Sequence, residues 1–345
     1  MALAGVVLPT YNRGHLLPEA LGSIAAQTFR DFRVAIADDG STDDTKTRVA
    51  QVCAEHPALD GRVEYLLLPH GGVAAARNVA IRALRGVKYI AFLDSDDLWR
   101  PHHLARAVAL LEQEPDVAVV FARVETAALT GGWWTPERVA IREERMRAPL
   151  RFEARRLDDV VILDSHAVPH ALLQDVFSLP TSTVVVRASV VGTCDWFDPS
   201  LAVHEDSEFY LRLAMAGQGF AFFDAAHCAT RHLGDNLTGD ASLDRLVTLA
   251  RMTSVLAYCQ RKLGMCVAKA DRRSVLRELA DQAYLVGQCL AEQRQWGAAR
   301  RHYVRSLGYK PARLALRALG RSLVPDRVLA RMRRASAGDA RPGAV

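Results

Sequence analysis

Apolar strands alternate with amphipathic helices along the first 122 residues, and this alternation constrains the fold more than any other feature of the chain. Short apolar runs such as Val6 to Leu8 and Tyr89 to Leu93 predict buried strands. Between them, segments such as Leu16 to Gln27 carry the periodicity of a helix with one apolar face. Strands without a polar face occur in sheets that helices cover on both sides, and such sheets are mostly parallel. The predicted fold class is therefore α/β, with a mostly parallel sheet flanked by helices.

The same patterns place the other elements of this part of the chain. The remaining strands are predicted at Phe32 to Ala37, Val63 to Leu68 and Val117 to Phe121, and the remaining helices at Asp44 to Ala54, Val73 to Arg85 and Pro101 to Glu112. Residues 123–180 are less regular, and we expect them to elaborate the core rather than form a separate domain. Strand character returns at Thr183 to Arg187 and at Phe220 to Phe223, with a helix predicted at Ser207 to Met215.

Strand signals vanish from about Asp240 onward, and only helical patterns remain. We therefore expect a main domain at residues 1–239, a helical basic extension at 240–334 and a disordered tail, rich in Ala and Gly, at 335–345.

Four residues of the extension have the spacing of a tetratricopeptide helix pair: Gly287, Ala299, Tyr303 and Pro311. Several stacked repeats are normally needed for stability, so one such unit predicts a helical hairpin packed on the main domain rather than a repeat array.

Charge is unevenly distributed along the chain. The net charge is +5, but Arg294 to Arg334 holds 12 Lys or Arg against the single acid Asp326, which leaves −6 for the remainder. A basic tail of this kind predicts contact with an anionic surface, such as a membrane leaflet; the alternative is a solvated helix face packed on the main domain. Nucleic-acid binding, which the pI near 9.0 would allow, is not expected, because acids at the strand ends would repel phosphates unless a metal were bound.

Several classes of protein are disfavoured by composition. No apolar run reaches the roughly 18 residues needed to span a bilayer. The segment after Met1 lacks the basic part of a signal peptide, and the six cysteines include no C-x-x-C pair. We expect a cytoplasmic protein without a structural zinc site, and the basic tail is the segment that would attach it to the inner face of the membrane.

Three carboxylates crowd the end of the strand at Tyr89 to Leu93, namely Asp94, Asp96 and Asp97. They repel one another unless something positive lies between them. Hard oxygen ligands facing a cleft suit Mg²⁺ or Mn²⁺, which bind through few carboxylates and the phosphates of a nucleotide. The alternative is a polar turn in which Ser95 or Asp97 caps the next helix.

Polar residues also follow the other predicted strands. They comprise Pro9 to Asn12, Asp38 to Ser41 and His70 to Gly72. Ligands of such sheets bind outside the carboxyl ends of the strands, so these residues predict one site. Asp39 could accept hydrogen bonds from the edge of a base, and Arg77 could fork onto a phosphate or an aspartate. Turn and capping chemistry for Asp39 and a surface position for Arg77 are the alternatives.

In order, these segments resemble the large family of inverting glycosyltransferases with the GT-A fold, which includes chondroitin, hyaluronan and cellulose synthases. The resemblance covers about the first 240 residues and is strongest over the first 100. The segments that carry it are Val6 to Arg13, Gln27 to Phe32, Asp38 to Thr42, Ala76 to Asn78, Phe92 to Asp97, His204 to Leu213 and Arg231 to Thr238. The fold it implies is a GT-A-type, Rossmann-like sheet.

The resemblance also implies roles for individual residues on the donor side. Pro9 and Tyr11 would flank the base of a nucleotide-sugar donor, and Asp39 would hydrogen-bond it. Asp94 would face the ribose or the diphosphate. Asp96 would bind the divalent cation, Mg²⁺ or Mn²⁺, with Asp97 as the alternative ligand.

Two further roles follow from the later segments. Asp206 would be the base that removes a proton from an acceptor hydroxyl; alternatively, Glu205 and Asp206 only complement a helix dipole. His232 would approach the metal and the diphosphate, or serve the structure alone.

The implied activity is transfer of a sugar from a nucleotide diphosphate, by default UDP, to a glycan or lipid-linked acceptor with inversion. The setting would be synthesis of bacterial-type polysaccharide, glycolipid or cell-envelope glycan. Residues 123–180, with Trp133 and Trp134, and the segment Leu179 to Thr183 would set the acceptor specificity. Aromatic rings suit the faces of sugars; the alternative is that these rings belong to the core. A catalytically inactive relative and a nucleotidyltransferase are the competing interpretations; for the second, the glycine-rich basic phosphate loop is missing.

Overall fold

The predicted alternation is present in the computed structural model, which describes residues 2–129, 143–190, 196–232 and 245–323. The first half contains β1 (Ala4–Thr10), α1 (Leu17–Ala25), β2 (Phe32–Asp38), α2 (Thr45–Glu55), β3 (Val63–Leu67), α3 (Val73–Ala83), β4 (Tyr89–Phe92), β5 (Leu98–Trp99) and α4 (His103–Gln113). Each strand and helix predicted for this half is confirmed within a few residues. The two-residue β5 was not predicted.

The next part of the chain completes the sheet. It contains β6 (Val117–Leu129), a short helical segment at residues 143–147, β7 (Glu153–Leu157), β8 (Val160–Leu163), α5 (Ala167–Leu173), β9 (Val185–Arg187), α6 (Glu205–Met215) and β10 (Gly219–His232). These elements, together with the first half, belong to one compact unit, Met1–Ala241.

The ten strands form a single sheet in the order β3-β2-β1-β4-β9-β6-β10-β8-β7, with β5 paired to β10. Strands β1 to β4 are parallel, and β6, β10 and β7 run in the same direction; β9, β8 and β5 run the opposite way. Seven of the ten strands therefore share one direction. The predicted α/β class with a mostly parallel sheet is confirmed, and the carboxyl ends of β1 to β4 meet at one edge.

Both faces of the central strands are covered, as the apolar runs predict. Val6, Val7 and Leu8 are consecutive in β1 and therefore point to alternate faces, yet each is fully buried. Leu17 and Ile24 of α1 pack into the same core as Val6 and Leu8. The sheet is thus held in place from two sides, which fixes where its strand ends lie.

Residues 123–180 are more regular than expected. Strand β6 continues to Leu129 and pairs in parallel with β10, and β7 and β8 form an antiparallel pair beside it. Four of the five residues of β7 are exposed, so neither apolar alternation nor a buried run marks this strand in the sequence. Trp133 and Trp134 lie outside the described residues.

The strand predicted at Thr183 to Arg187 begins later than expected. Thr181–Thr183 forms a turn of 3₁₀ helix, and β9 starts at Val185. The Thr183 hydroxyl bonds the backbone of Ala122 in β6, accepting from its N–H at 3.1 Å. This side-chain bond replaces a strand pairing at that position.

The second compact unit, Ser242–Val345, is helical where it is described. It contains α7 (Arg245–Met265), α8 (Lys269–Glu292), α9 (Trp296–Tyr309) and α10 (Arg313–Leu323). Residues 324–334 of the predicted extension and the predicted tail at 335–345 lie outside the described residues. No described helix of the chain has the length and apolar content needed to cross a membrane.

The predicted helical hairpin is formed by α8 and α9. A Cβ atom on Gly287 would lie 2.6 Å from the Tyr303 ring and 3.3 Å from the Ala299 carbonyl oxygen. These residues therefore stand where the two helices touch, and Pro311 lies between α9 and α10, as the spacing predicts.

Candidate functional site

A cleft of about 780 Å³ opens at the sheet edge where β1, β2 and β4 end. Its walls include seven of the side chains singled out from the sequence: Pro9, Tyr11, Asp39, Arg77, Asp94, Asp96 and Asp206. They come from five separate segments of the chain, and the parallel strands bring most of them together. His232 ends β10, but its side chain lies outside the described residues.

The loops that follow β1 and β2 are tied to each other by hydrogen bonds. The backbone N–H of Asn12 donates to the Ser41 hydroxyl at 2.7 Å, and the Asn12 side-chain oxygen accepts from the Thr42 N–H at 2.8 Å. Asn12 has a positive φ of 52°, which asparagine tolerates better than most residues. The backbone of this wall is therefore fixed by its own side chains.

Asp39 binds the loop that follows β3. Its carboxylate accepts from the N–H of Gly71 at 2.7 Å and of Gly72 at 2.9 Å, and it lies 2.9 Å from the Nδ1 atom of His70. The side chain is only 5% exposed. Asp39 thus has the structural role that was given as the alternative, but its hydrogen bonds join the loop after β2 to the loop after β3 instead of closing a single turn. Two oxygens offer about four acceptor positions, so these contacts leave capacity for another donor.

Tyr11 and His70 form a stacked aromatic pair at the mouth of the cleft. Their ring centroids lie 4.4 Å apart with an interplanar angle of 27°, and Tyr11 is 44% exposed. A tyrosine this exposed offers one flat apolar face to a planar ligand. His70 was expected only as part of a polar loop, and its contact with Tyr11 was not predicted.

Arg77 joins two acidic segments that are far apart in the sequence. Its Nη2 atom donates to Asp94 at 2.7 Å, and its Nη1 atom donates to Glu205 at 2.6 Å. Arg77 is only 4% exposed, so the surface alternative is wrong. Burial alone would lower the pKa of Arg77, but the carboxylates of Asp94 and Glu205 raise it, and the guanidinium stays charged.

Glu205 is the buried partner in this ion pair. Burial and the neighbouring charge of Asp206 raise the pKa of Glu205 to about 7, although Arg77 opposes the shift. From the sequence, Glu205 was expected only to complement a helix dipole. Its role depends on a contact across 128 positions, which no local pattern reveals.

The acids after β4 differ in their surroundings. Asp97 is 8% exposed and accepts a hydrogen bond from the Ser182 hydroxyl at 2.6 Å. Burial, with the charges of Asp96 and Asp94, raises the pKa of Asp97 well above its usual value. Burial and the charge of Asp94 also raise the pKa of Asp96, to about 6.

These acids fit a divalent cation. Two half-buried carboxylates, Asp94 and Asp96, line the same cleft and raise each other's energy when both are charged, and a cation would relieve that repulsion. Within the described ranges, no three His, Cys, Asp or Glu side chains are grouped to enclose a metal. Mg²⁺ and Mn²⁺ suit such a sparse site, because ligand phosphates and water complete their coordination.

Two arginines of the cleft were not predicted as site residues. Arg13 and Arg231 line it, and their charges lower the pKa of Asp96. The Arg231 Nε atom donates to the backbone carbonyl of Asp96 at 2.8 Å, and its Nη1 atom lies 3.0 Å from Glu19. Both arginines occur in the segments that carry the family resemblance, which is the signal that could have found them.

Asp206 lies in the first turn of α6 and is half-buried. One carboxylate oxygen accepts from the Thr181 hydroxyl at 2.7 Å, and the other accepts from the N–H of Ser207 at 2.6 Å. The hydroxyl of Tyr210, which is almost fully buried, lies 3.4 Å from the Thr181 oxygen. Thr181 therefore orients Asp206, a contact that the sequence analysis did not predict.

The start of α6 is anchored to α3. The Asn78 side chain donates to the Phe197 carbonyl at 2.7 Å and accepts from the Phe197 N–H at 3.0 Å. This pair of bonds fixes the segment before α6 next to the helix that carries Arg77. The acids of α6 are thereby held against the same wall as Arg77.

The sequence matches the model of the family described as "Glycosyl transferase family 2" over residues 5–178, about half of the chain. The chain is 34% identical to chondroitin synthase from Escherichia coli over 119 residues, 34% of this chain and 17% of that protein. It is 31% identical over 110 residues to the UDP-Glc:alpha-D-GlcNAc-diphosphoundecaprenol beta-1,3-glucosyltransferase WfgD of Escherichia coli, 32% of this chain and 41% of that protein. The chain thus spans less than half the length of these curated relatives.

Solved structures share the fold at low sequence identity. S. aureus TarS in complex with UDP-GlcNAc is 19% identical with a TM-score of 0.60, covering 90% of this chain and 82% of that one. The mannosyltransferase PcManGT from Pyrobaculum calidifontis, in complex with GDP-Man and Mn²⁺, is 17% identical with a TM-score of 0.56. The match covers 95% of this chain and 80% of that one. The GT-A fold expected from the resemblance is confirmed, and together with the family match it shows that this chain belongs to glycosyl transferase family 2.

Proposed function

We propose that the protein is a metal-dependent, inverting glycosyltransferase that moves a sugar from a nucleotide-diphosphate donor to an acceptor hydroxyl. One observation carries the proposal: side chains from five separate segments, including Asp39, Asp96 and Asp206, line a single cleft at the carboxyl edge of the sheet. The volume of the cleft, about 780 Å³, lies in the range of small-molecule sites.

The donor base would bind at the Tyr11 end of the cleft. The exposed face of Tyr11 would stack on the base beside Pro9, and Asp39, while holding the loop at Gly71, would accept a hydrogen bond from the base edge. Structural neighbours were solved with UDP-GlcNAc and with GDP-Man, which supports a nucleotide-sugar donor. UDP is our first choice, since WfgD is named as a UDP-Glc enzyme.

The diphosphate would lie over the acidic loop after β4. Asp96 would hold Mg²⁺ or Mn²⁺ there, with Asp94 facing the diphosphate, whereas Asp97 is engaged with Ser182. When bound, the cation would supply charge stabilisation to the departing diphosphate. His232 would approach the metal and the diphosphate. Arg13 and Arg231 would add positive charge to the wall of the cleft next to Asp96.

Asp206 would accept the proton of the attacking hydroxyl. A positioned carboxylate in this role contributes about 10²–10⁴-fold to the rate. Thr181 and the N–H of Ser207 hold its two oxygens, so the carboxylate has a fixed orientation. Attack from the face opposite the departing diphosphate would invert the anomeric centre.

The acceptor would be a glycan or a lipid-linked sugar. The similarity to chondroitin synthase and to WfgD supports a role in polysaccharide or cell-envelope glycan synthesis. The name of WfgD specifies a diphosphoundecaprenol-linked acceptor. Residues 123–180 and the segment that ends at Thr183 would shape the acceptor side. Thr181, through its bond to Asp206, brings that segment next to the base.

The test is to incubate the full chain with a panel of nucleotide sugars and to measure nucleoside-diphosphate release and thermal stabilisation. We expect one donor class to stabilise the protein in the presence of Mn²⁺ or Mg²⁺, and EDTA to abolish release until metal is restored. Asp206→Asn should retain donor-induced stabilisation and lose roughly 10²–10⁴-fold in turnover. Asp60→Asn, an exposed carboxylate outside the cleft, is the matched control and should leave both unchanged.

Three results would contradict the proposal. Turnover of Asp206→Asn within a few-fold of the parent would exclude Asp206 as the base. Release that is insensitive to EDTA would exclude the metal at Asp96. If the protein binds a donor but releases no nucleoside diphosphate with any acceptor preparation, a catalytically inactive, sugar-binding scaffold would be favoured.

A further inference from the structure

The second compact unit carries a basic surface on α9, α10 and the residues next to these helices. From residue 294 to residue 323 the chain has eight Lys or Arg residues and no Asp or Glu. All eight are exposed: Arg294, Arg300, Arg301, Arg305, Lys310, Arg313, Arg317 and Arg321. None of them forms an ion pair with a carboxylate among the described residues. Their charge is therefore directed at solvent rather than used within the fold.

Among the residues that the structure describes, helix α10 packs against the second unit through one face. Ala315 and Ser322 are buried, and Ala318 and Leu319 pack against the core of the second unit. These positions recur every three to four residues and define the inner face of the helix. Packing thus holds α10 in place, so the opposite face is presented as a preformed surface.

The outward face of α10 combines arginines with leucines. Arg313, Arg317 and Arg321 follow one another at four-residue intervals and form a stripe along the middle of this face. Leu316 and Leu323, seven residues apart, lie on one side of the stripe, and Leu314 lies on the other. The three leucines are 61–63% exposed.

The preceding helix α9 has an exposed face of the same composition. Val304 is 56% exposed between the exposed Arg301 and Arg305. Exposed apolar side chains scattered singly need no explanation, but four of them interleaved with an unopposed row of cations do. Water alone would hydrate the cations, but it would not account for the exposed apolar side chains among them.

We propose that α9 and α10 form a docking surface for a bilayer that contains anionic lipids. The arginines would contact the phosphate groups of the lipids, and the flanking leucines and Val304 would enter the boundary between head groups and acyl chains. The long arginine side chains can lie along the apolar boundary while their guanidinium groups reach the phosphates. None of these residues is among those that line the cleft, and the proposal does not depend on the proposed transfer reaction.

Nucleic acid is the main competing polyanion, and the leucines argue against it. A duplex would use the cations but offers no apolar phase for three leucines on both sides of the arginine stripe. The two partners therefore differ in how binding depends on the leucines, and the test exploits this difference.

The experiment is sedimentation of the full-length protein with vesicles of phosphatidylcholine alone or mixed with phosphatidylglycerol, at low and at physiological salt. We expect binding only to the mixed vesicles, weaker at the higher salt. The triple variant Arg313→Gln, Arg317→Gln, Arg321→Gln should lower the partition coefficient about a hundredfold. The triple variant Leu314→Ser, Leu316→Ser, Leu323→Ser should lower it about tenfold or more, although its net charge is unchanged.

A matched control removes the same charge from another face of the same unit. Arg272, Arg273 and Arg277 are exposed on α8, which also carries Asp271, Glu278 and Asp281. The triple variant Arg272→Gln, Arg273→Gln, Arg277→Gln should bind vesicles within a few-fold of the parent. Circular dichroism establishes that each variant keeps its helices.

Each other outcome overturns the proposal. If the α8 control variant loses as much vesicle binding as the α10 arginine variant, total charge alone decides binding. A leucine variant that binds like the parent, together with equally tight binding of a DNA duplex, would identify a general polyanion surface. Concentration-dependent self-association that depends on the leucines, without vesicle binding, would identify a second copy of the chain as the occupant. Absence of vesicle binding at low salt would exclude the membrane directly.

Discussion

At the scale of single residues, the cleft depends on charged groups that satisfy one another across long sequence separations. Arg77 connects Asp94 to Glu205, and Asp39 fixes the loop at Gly71. An arginine buried without both carboxylates would cost several kcal/mol, so these ion pairs bind the acidic loop and α6 to α3. The same contacts orient the carboxylates that we assign to donor binding and catalysis.

Thr181→Val tests whether orientation of Asp206 matters for turnover. The substitution keeps the size of the side chain and removes the hydroxyl that donates to Asp206 at 2.7 Å. Hydrogen bonds to charged groups contribute about 1.5–3 kcal/mol, so we expect kcat to fall roughly tenfold to a hundredfold with the donor KM nearly unchanged. Thr181→Ser keeps the hydroxyl and should restore most of kcat. Equal kcat values for the two variants would show that Thr181 acts only through packing.

A buried histidine pair makes stability depend on pH. His103 and His227 approach at 3.3 Å between their Nδ1 atoms. Burial and the charge of Arg106 lower the pKa of His227 to about 4, although Asp159 opposes the shift. The folded protein thus binds fewer protons than the unfolded chain between pH 6.5 and 4, and stability is lost as the pH falls through that window.

His227→Gln should remove the part of this pH dependence that His227 contributes, whereas buried His103, whose pKa is also lowered by burial, keeps its own part. The free energy of unfolding of the parent should fall on going from pH 7 to pH 4.5 by about 2 kcal/mol more than that of the variant. Urea unfolding at both pH values measures the difference. His166→Gln, at an exposed histidine, is the control and should follow the parent. Parallel pH curves for the parent and His227→Gln would contradict the buried neutral state of this histidine.

At the scale of elements, contact between helices is set by the smallest side chains. Gly287 allows α8 to approach the Tyr303 ring of α9 so closely that a methyl group would not fit. Tyr303 is almost fully buried and packs in the core of the second unit with Val286 and Leu290. A glycine in a helix interior normally weakens the helix, so its presence here is explained by the close contact.

Gly287→Ala should therefore destabilise the second unit, despite the better helix propensity of alanine. Overpacking of this kind costs about 1–3 kcal/mol. Gly308→Ala in α9 is the matched control, since a Cβ atom there meets nothing within 4 Å. It should stabilise the protein by about 0.5–1 kcal/mol through helix propensity alone. Denaturant unfolding measures both changes, and stabilisation by both variants would mean that α8 and α9 do not make the described contact.

At the scale of the whole molecule, the chain divides into Met1–Ala241 and Ser242–Val345, each with a buried apolar cluster of its own. Every described residue that lines the cleft belongs to the first unit. The basic surface belongs entirely to the second. We propose, in line with the predicted boundaries at 239 and 334, that the first unit is the transferase domain and the second a membrane-docking extension.

A chain that ends at residue 241 tests this division. We expect it to unfold cooperatively and to bind the donor and Mn²⁺ as the full chain does, because it holds all the cleft residues. It should not sediment with anionic vesicles. Isothermal calorimetry and vesicle sedimentation measure the two properties. Loss of donor binding by a folded, monomeric truncated chain would show that the second unit contributes to the site.

Much of the fold could be predicted because its strands are buried on both faces. In β1 and β4 every residue is buried and all but Thr10 lack a polar side chain, apart from the Tyr89 hydroxyl, so composition marks both strands. In β7, by contrast, four charged or small residues are exposed, and pairing with β8 depends on neighbours that are distant in sequence. The long pairing of β6 with β10 also escaped prediction, since the apolar runs end at Phe121 and Phe223, well before either strand ends.

The candidate site was predictable to the extent that strand ends converge. Asp39 and Asp96 follow parallel strands, so their common location could be expected from topology. The contacts of Glu205 and Thr181 could not, because they arise from the packing of α6 against segments with no sequence pattern in common with it. Local spacing identifies which residues carry charge; packing decides which of them meet.

The hydrogen bonds between the loops after β1, β2 and β3 have a consequence for binding kinetics. Because Asn12, Ser41, Asp39 and Gly71 already restrain one another, little backbone freedom remains to be lost when a nucleotide arrives. The entropic penalty of complex formation then falls on the nucleotide and on the Tyr11 ring. Association should be a single fast phase whose rate rises linearly with ligand concentration, without the plateau that a slow rearrangement would impose.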